Sequence, residues 1–262
     1  MALSKGWRWA AAWVLAAAGT AGAEEPQAAA VAELPEVVVT AMRAETPIAE
    51  VPGAVHVVDR DSMQASAPRT TPDALRGLPS VMVQKTGYGQ GSPYLRGFTG
   101  FRTLMMVDGI RLNNSTFRDG PNQYWNTVDP WSVDRYETVL GPASVLYGSD
   151  AVGGAVNALA LAPPEWAGEP TCERTLAARV ATADESLQTR AGVRARVTER
   201  LGLAAGFTWK KFNDVRGGDD VGRQRHTGYD ESDFDLRADY DLSERATLTL
   251  AHQQVAQDDA WR

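Results

Sequence analysis

From Leu187 to Val197 the chain reads LQTRAGVRARV, with Leu187, Ala191, Val193, Ala195 and Val197 on one parity and Gln188, Arg190, Arg194 and Arg196 on the other. A helix cannot segregate a period-two pattern, whereas a strand with one apolar and one polar face sorts it completely. Ser232 to Leu242 repeats the pattern: Phe234, Leu236, Ala238, Tyr240 and Leu242 share one side, and Asp233, Asp235, Arg237, Asp239 and Asp241 the other. With Arg174–Thr182, Leu201–Phe212 and Ala246–Ala256, these runs predict about five consecutive antiparallel strands over residues 171–262.

Each run is close to the ~9 to 11 residues of a tilted membrane-spanning strand. The links at Thr198–Arg200 and Ser243–Arg245 are short, and the Asn213–Glu231 link between them is long, polar and glycine-rich. Short turns at one rim and a long loop at the other are the outer-membrane barrel arrangement, which favours a membrane wall over a soluble sandwich. About five strands cannot close, because a barrel needs an even number and at least ~8, so the chain is expected to be the N-terminal part of a longer protein.

Residues 51–165 have a different texture, that of a compact α+β domain rich in loops. Ala54–Val58, Val81–Gln84, Thr103–Val107 and Tyr136–Val139 are predicted strands. Thr71-Pro72-Asp73 supplies an N-cap, a first-turn proline and a first-turn acid for a short helix to Arg76. Ahead of this domain, Lys5 and Arg8 precede a short apolar run, Trp9–Ala18, and the small residues Ala21-Gly22-Ala23. That is the plan of a cleaved secretory signal peptide over residues 1–23. Residues 24–50, rich in Ala, Glu and Pro, are expected to form a flexible arm around LPEVVVTAMR, whose valines favour a strand although no hairpin partner lies beside them.

Composition removes several function classes. The formal charge is −7, and loss of the basic leader makes the mature chain more acidic still, which excludes a nucleic-acid binder. One cysteine, Cys172, and three scattered histidines, His56, His226 and His252, make neither a disulfide framework nor a zinc site, so no metal site and no cofactor are expected. The glycines of TGYGQGSP are not followed by a helix or a Lys-Ser/Thr pair, so they are no phosphate cradle. Asp108 and Asp150 lack a sequence partner for acid–base or nucleophilic chemistry, and no enzyme activity is expected.

Four segments carry a family resemblance. PEVVVTAMR resembles the TonB box of TonB-dependent outer-membrane receptors, and TPDALRGLPSVMVQ, YLRGFTGFRTLMMVDGIRLNN and YETVLGPASVLYGSDAVGGAVN resemble successive segments of their plug domain. The resemblance implies an outer-membrane location, with the plug inside a lipid-embedded barrel and facing the periplasm. It implies that Pro35, Glu36, Val37, Val38, Val39 and Thr40 are gripped by the TonB energy-coupling protein through β-strand addition. Plug apices and outer loops would bind a scarce, bulky solute, first of all an iron complex (siderophore or haem), with cobalamin or carbohydrate as alternatives and a passive porin-like barrel as a weaker one. The candidate ligand contacts are Tyr88, Gln90, Tyr94, Asn113, Asn114, Phe117, Arg118 and Tyr124. Tyr88, Tyr94, Tyr124 and His226 are the possible iron donors. Leu140 stands where the family usually has an arginine that meets acidic wall residues, which leaves Arg96 and Arg102 as the expected plug–barrel latch.

Overall fold

The computed structural model describes residues 37, 38, 40, 42–116, 118–121 and 123–261. The predicted signal peptide, most of the arm, Pro35, Glu36, Val39 and Phe117 lie outside the described residues. In chain order the strands are β1 (Val37–Val38), β2 (Thr46–Pro47), β3 (Ala54–Val58), β4 (Val81–Gly87), β5 (Gln90–Leu95), β6 (Thr103–Val107), β7 (Ile110–Arg111), β8 (Val133–Leu140) and β9 (Gly154–Ala160). β10 (Thr171–Ala181), β11 (Ser186–Arg196), β12 (Leu201–Phe212), β13 (Tyr229–Ser243) and β14 (Ala246–Asp258) follow. The helices are short: α1 (Arg60–Ser66), α2 (Thr71–Ala74) and α3 (Ser144–Tyr147).

The N-terminal domain is organised by a mixed sheet in the order β3-β8-β9-β6-β7, antiparallel except for the β6–β9 pair. Leu104 and Met106 of β6 join Ala143, Ala151 and Ala155 on one face, while Met105 packs with Leu75, Leu95, Trp125, Tyr136 and Val156 on the other. Both faces are therefore covered, which is why β6 reads TLMMV without alternation. β9 is hidden for the same reason. Its GAVNALA sequence is small and unpatterned, and it lies between β8 and β6 with its first five residues buried. β5 was also unpredicted, because Gly91 and Pro93 are strand breakers. It has a single neighbour, β4, and an edge position tolerates a residue without an N–H.

The five strands β10–β14 form one antiparallel sheet in sequence order. Register carries the predicted parity across it: Ala191 pairs with Phe207, and Phe207 with Phe234. That face exposes Leu176, Val193, Leu203, Phe207, Leu236 and Leu250, an apolar surface suited to lipid. The opposite face carries Arg190, Lys210, Glu231 and Asp233, all buried against the N-terminal domain. The strand boundaries of this sheet move only slightly from those predicted, the largest shifts being three residues at the starts of β10, Thr171 rather than Arg174, and β13, Tyr229 rather than Ser232.

Candidate functional site

Three places join chemistry to position: the β4–β5 turn, the seam between domain and wall, and the Val37–Val38 strand. At the turn, Tyr88 reaches the 182–185 connection of the wall, where its hydroxyl donates to Asp184 at 2.5 Å. Arg69 lies 4.3 Å over the Tyr88 ring and pairs with Asp184 at 2.9 Å. Phe212 meets the ring edge-on, and Tyr229 stacks on Phe212 with centroids 4.6 Å apart. Gly89 is needed here, since a Cβ would come within 2.7 Å of the Tyr229 ring. Burial and the bond to Asp184 push the Tyr88 hydroxyl well above its ordinary range, so it stays protonated. For Asp184 the upward push of burial is outweighed by Tyr88, Ser186 and Arg69, which hold it below the usual carboxylate range.

The other predicted contacts do not form one surface. Asn113 is buried: its Oδ1 accepts from the Met105 N–H, and its Nδ2 donates to the Thr103 carbonyl. It fastens a loop to β6. Gln90 is buried at the start of β5, and the half-buried Tyr94 donates to Gln84. Asn114 closes its own turn with Thr116, and the exposed Arg118 donates to the Pro121 carbonyl. Tyr124 starts a short 3-10 turn, Tyr124–Thr127, below the apex.

At the seam, the Lys210 ammonium is fully buried and faces Asp129 at 2.7 Å, Asp233 at 2.9 Å and Glu231. Asp129 belongs to the N-terminal domain, and the other three to β12 and β13. Thr208 also donates to Asp129 at 2.7 Å, and Arg190 stands 3.5 Å away. Burial pushes Asp129 up, but Lys210, Thr208 and Arg190 outweigh it and hold the carboxyl below its ordinary range. Asp129, Glu231 and Asp233 converge closely enough to suit a metal ion, yet Lys210 supplies the positive charge at their centre. Around this cluster Trp131 Nε1 donates to Gln188, Gln253 donates to Ser132, and Arg237 approaches Asp108 at 3.4 Å.

The ion pairs between domain and wall rest on residues other than the expected latch. Arg96 and Arg102 are exposed, and among the described residues neither makes an ion pair. Leu140 is buried in the apolar core, where a guanidinium would lack a charge partner. At the Lys210 cluster the domain offers an acid, Asp129, to wall cations, whereas at the β4–β5 turn it offers a cation, Arg69, to the wall acid Asp184. Sequence reading missed Asp129 because DPWSVDR gives no periodic signal, and it missed Lys210 because a lysine on a polar strand face ordinarily points to water.

The Val37–Val38 strand does have a partner, contrary to expectation: Val37 pairs with Pro47 and Val38 with Thr46. Val38 is fully buried, and Thr40 is tied to the domain through its N–H, which donates to Glu137 at 2.7 Å. The ladder was invisible in sequence because it is only two residues long and one member is a proline.

A family model described as the TonB-dependent Receptor Plug Domain matches residues 47–155. This segment is a plug domain of the TonB-dependent receptor type. Over 139 residues the chain is 34% identical to a vitamin B12 transporter BtuB of Photobacterium profundum, a match covering 53% of this chain and 22% of that one. It is 32% identical over 154 residues to an iron-regulated outer membrane virulence protein of Vibrio cholerae, covering 56% of this chain and 23% of the relative. The matches thus span under a quarter of these relatives' length. The pyoverdine outer membrane receptor FpvA from Pseudomonas aeruginosa, solved with pyoverdine bound, shares the fold with a TM-score of 0.68 at 18% identity, over 84% of this chain and 30% of FpvA. That likeness extends past the plug into the wall strands.

Proposed function

We propose that this chain is the plug and first wall segment of an outer-membrane receptor that imports a bulky metal chelate by TonB-dependent active transport. The observation that carries this reading is the division of labour around one plug. Tyr88 meets the wall at the long-loop rim, Asp129 is sealed to Lys210 at the seam, and the Val37–Val38 strand is docked on the plug through a two-residue ladder rather than built into its main sheet. A strand held so lightly is suited to transfer onto another sheet, where main-chain hydrogen bonds supply the grip and three valines keep the backbone extended. The segment from Pro35 to Thr40 is then the TonB box, and the leader over residues 1–23 takes the protein to the outer membrane.

An iron complex is the first choice of ligand, and the structure bears on its kind. An iron-ligating tyrosine gives up its proton, but the Tyr88 hydroxyl is committed to Asp184 and held protonated. A ligand whose metal is already fully coordinated, such as a siderophore, asks no donor of Tyr88 and is favoured on that ground over haem, which would have to draw on Tyr94, Tyr124 or His226 instead. Cobalamin satisfies the same condition, and the similarity to a vitamin B12 transporter makes it the second reading. Titrating the purified full-length receptor with a ferric siderophore, cobalamin and haem separates them. Saturable binding of a siderophore with an unchanged metal spectrum is expected. A haem spectrum that shifts on binding and reverts in Tyr88→Phe would contradict the reading, and failure to bind any of the three would end it.

A further inference from the structure

Thr40 is held at every polar atom it offers. Its N–H donates to Glu137 Oε2 at 2.7 Å, its carbonyl accepts from the Tyr147 hydroxyl at 2.5 Å, and its Oγ1 accepts from Asn157 Nδ2 at 3.1 Å. The three partners come from β8, α3 and β9, separated in sequence but gathered around one residue. Glu137 is fully buried, and its other oxygen is engaged by Arg135 at 2.9 Å. Asn157 is also committed, because its Oδ1 accepts the Gly109 N–H at 2.9 Å. Arg43 completes the hold from the box side, donating to the Leu146 carbonyl at 3.1 Å with its guanidinium 5.6 Å over the Tyr147 ring.

The two-residue ladder of β1 and β2 is too short to keep a segment docked by itself. We propose that Glu137, Tyr147 and Asn157 form a clamp on Thr40 that sets how often the Val37–Val38 strand leaves the plug. These are positioning residues that act on the box, and none of them belongs to the candidate ligand contacts. A peptide group whose N–H and C=O are both held by side chains behaves like a strand with two partners. Release requires all three contacts to break together, so the docked state persists until something competes for Thr40's main chain. Burial makes each contact count, since an N–H or carbonyl that opens without water beside it loses its full hydrogen bond. The proposal rests on the functional reading only for what the released strand is used for.

The test uses the full-length receptor in its membrane, with Cys172, the one cysteine of these 262 residues, and any cysteine elsewhere in the receptor replaced by serine. Val38→Cys then reports opening, because Val38 is fully buried when docked and a thiol reagent reaches it only after release. A second reporter, Met105→Cys, sits fully buried in the plug core and reports general unfolding. Tyr147→Phe, which deletes one hydroxyl, is expected to speed labelling at position 38 about fivefold, the equivalent of ~1 kcal/mol. Glu137→Ala is expected to speed it at least tenfold, and Glu137→Gln, which keeps an acceptor for the Thr40 N–H, less than Glu137→Ala. Labelling at position 105 should stay slow throughout. Unchanged labelling at position 38 in both Tyr147→Phe and Glu137→Ala overturns the clamp, as does equal acceleration at both reporters. Neither ligand nor TonB is present in this assay, so a clamp that passes while the released strand fails to bind the TonB periplasmic domain would refute the coupling role and leave the clamp standing.

Discussion

Lys210 has no route to water, and its three carboxylate partners fix what its ammonium is worth. A buried charge stripped of its partner is strongly destabilised, so Lys210 seals the seam only while a carboxylate faces it. Asp129 is the member the plug contributes, and it gives the seal a pH dependence. Its folded-state pKa lies below the ordinary 3.8, so the stability it confers is fully present above that value and is lost as pH falls through the lowered folded value. Asp129→Asn is expected to lower the stability of the full-length receptor by about 1.5–3 kcal/mol at neutral pH, as for the loss of a hydrogen bond between charged groups. Urea midpoints compared from about pH 6 to about pH 2 should show the gap between wild type and variant steady above the ordinary 3.8 and closing below it. A gap that stays constant across that range would remove Asp129 from the seal.

At the scale of elements, the wall was legible and the plug only in part. Strict alternation exposed β11 and β13 because one face meets an apolar environment and the other a polar plug, so two environments are written into alternate residues. β9 gave no such signal, being buried on both faces, and α1 was missed because RDSMQAS carries too little apolar periodicity to mark a helix that buries only Met63. The candidate contacts fared according to the same logic. Tyr88 stood out as an aromatic among glycines and does sit at a rim, whereas Asn113 looked like a polar loop residue and serves the interior. One device spans three wall strands: Arg190 of β11 crosses β12 to make two bonds with Asp235 of β13, at 2.7 and 3.0 Å. It passes over Gly206, where a Cβ would lie 2.2 Å from its Nη2. Gly206→Ala is therefore expected to displace the guanidinium and to destabilise the receptor by ~1–3 kcal/mol, the range for overpacking. An unshifted urea midpoint in that variant would show that the crossing contributes nothing.

The whole molecule joins a wall with one exposed apolar face, a plug sealed to it by Asp129 and Lys210, and a two-residue strand docked on the plug. The seal and the clamp lie along one stretch of chain, since Asp129 precedes β8 by four residues and Glu137 lies in the middle of that strand. Under the proposed function, the Val37–Val38 strand is the part on which uptake would depend. Proline at position 38 removes a main-chain donor and fixes φ, which abolishes strand addition without touching the outer rim. The most direct measurement is energised uptake by the full-length Val38→Pro receptor beside ligand binding at the cell surface. Binding is expected to persist while uptake stops; uptake at the wild-type rate would overturn the coupling role of this strand.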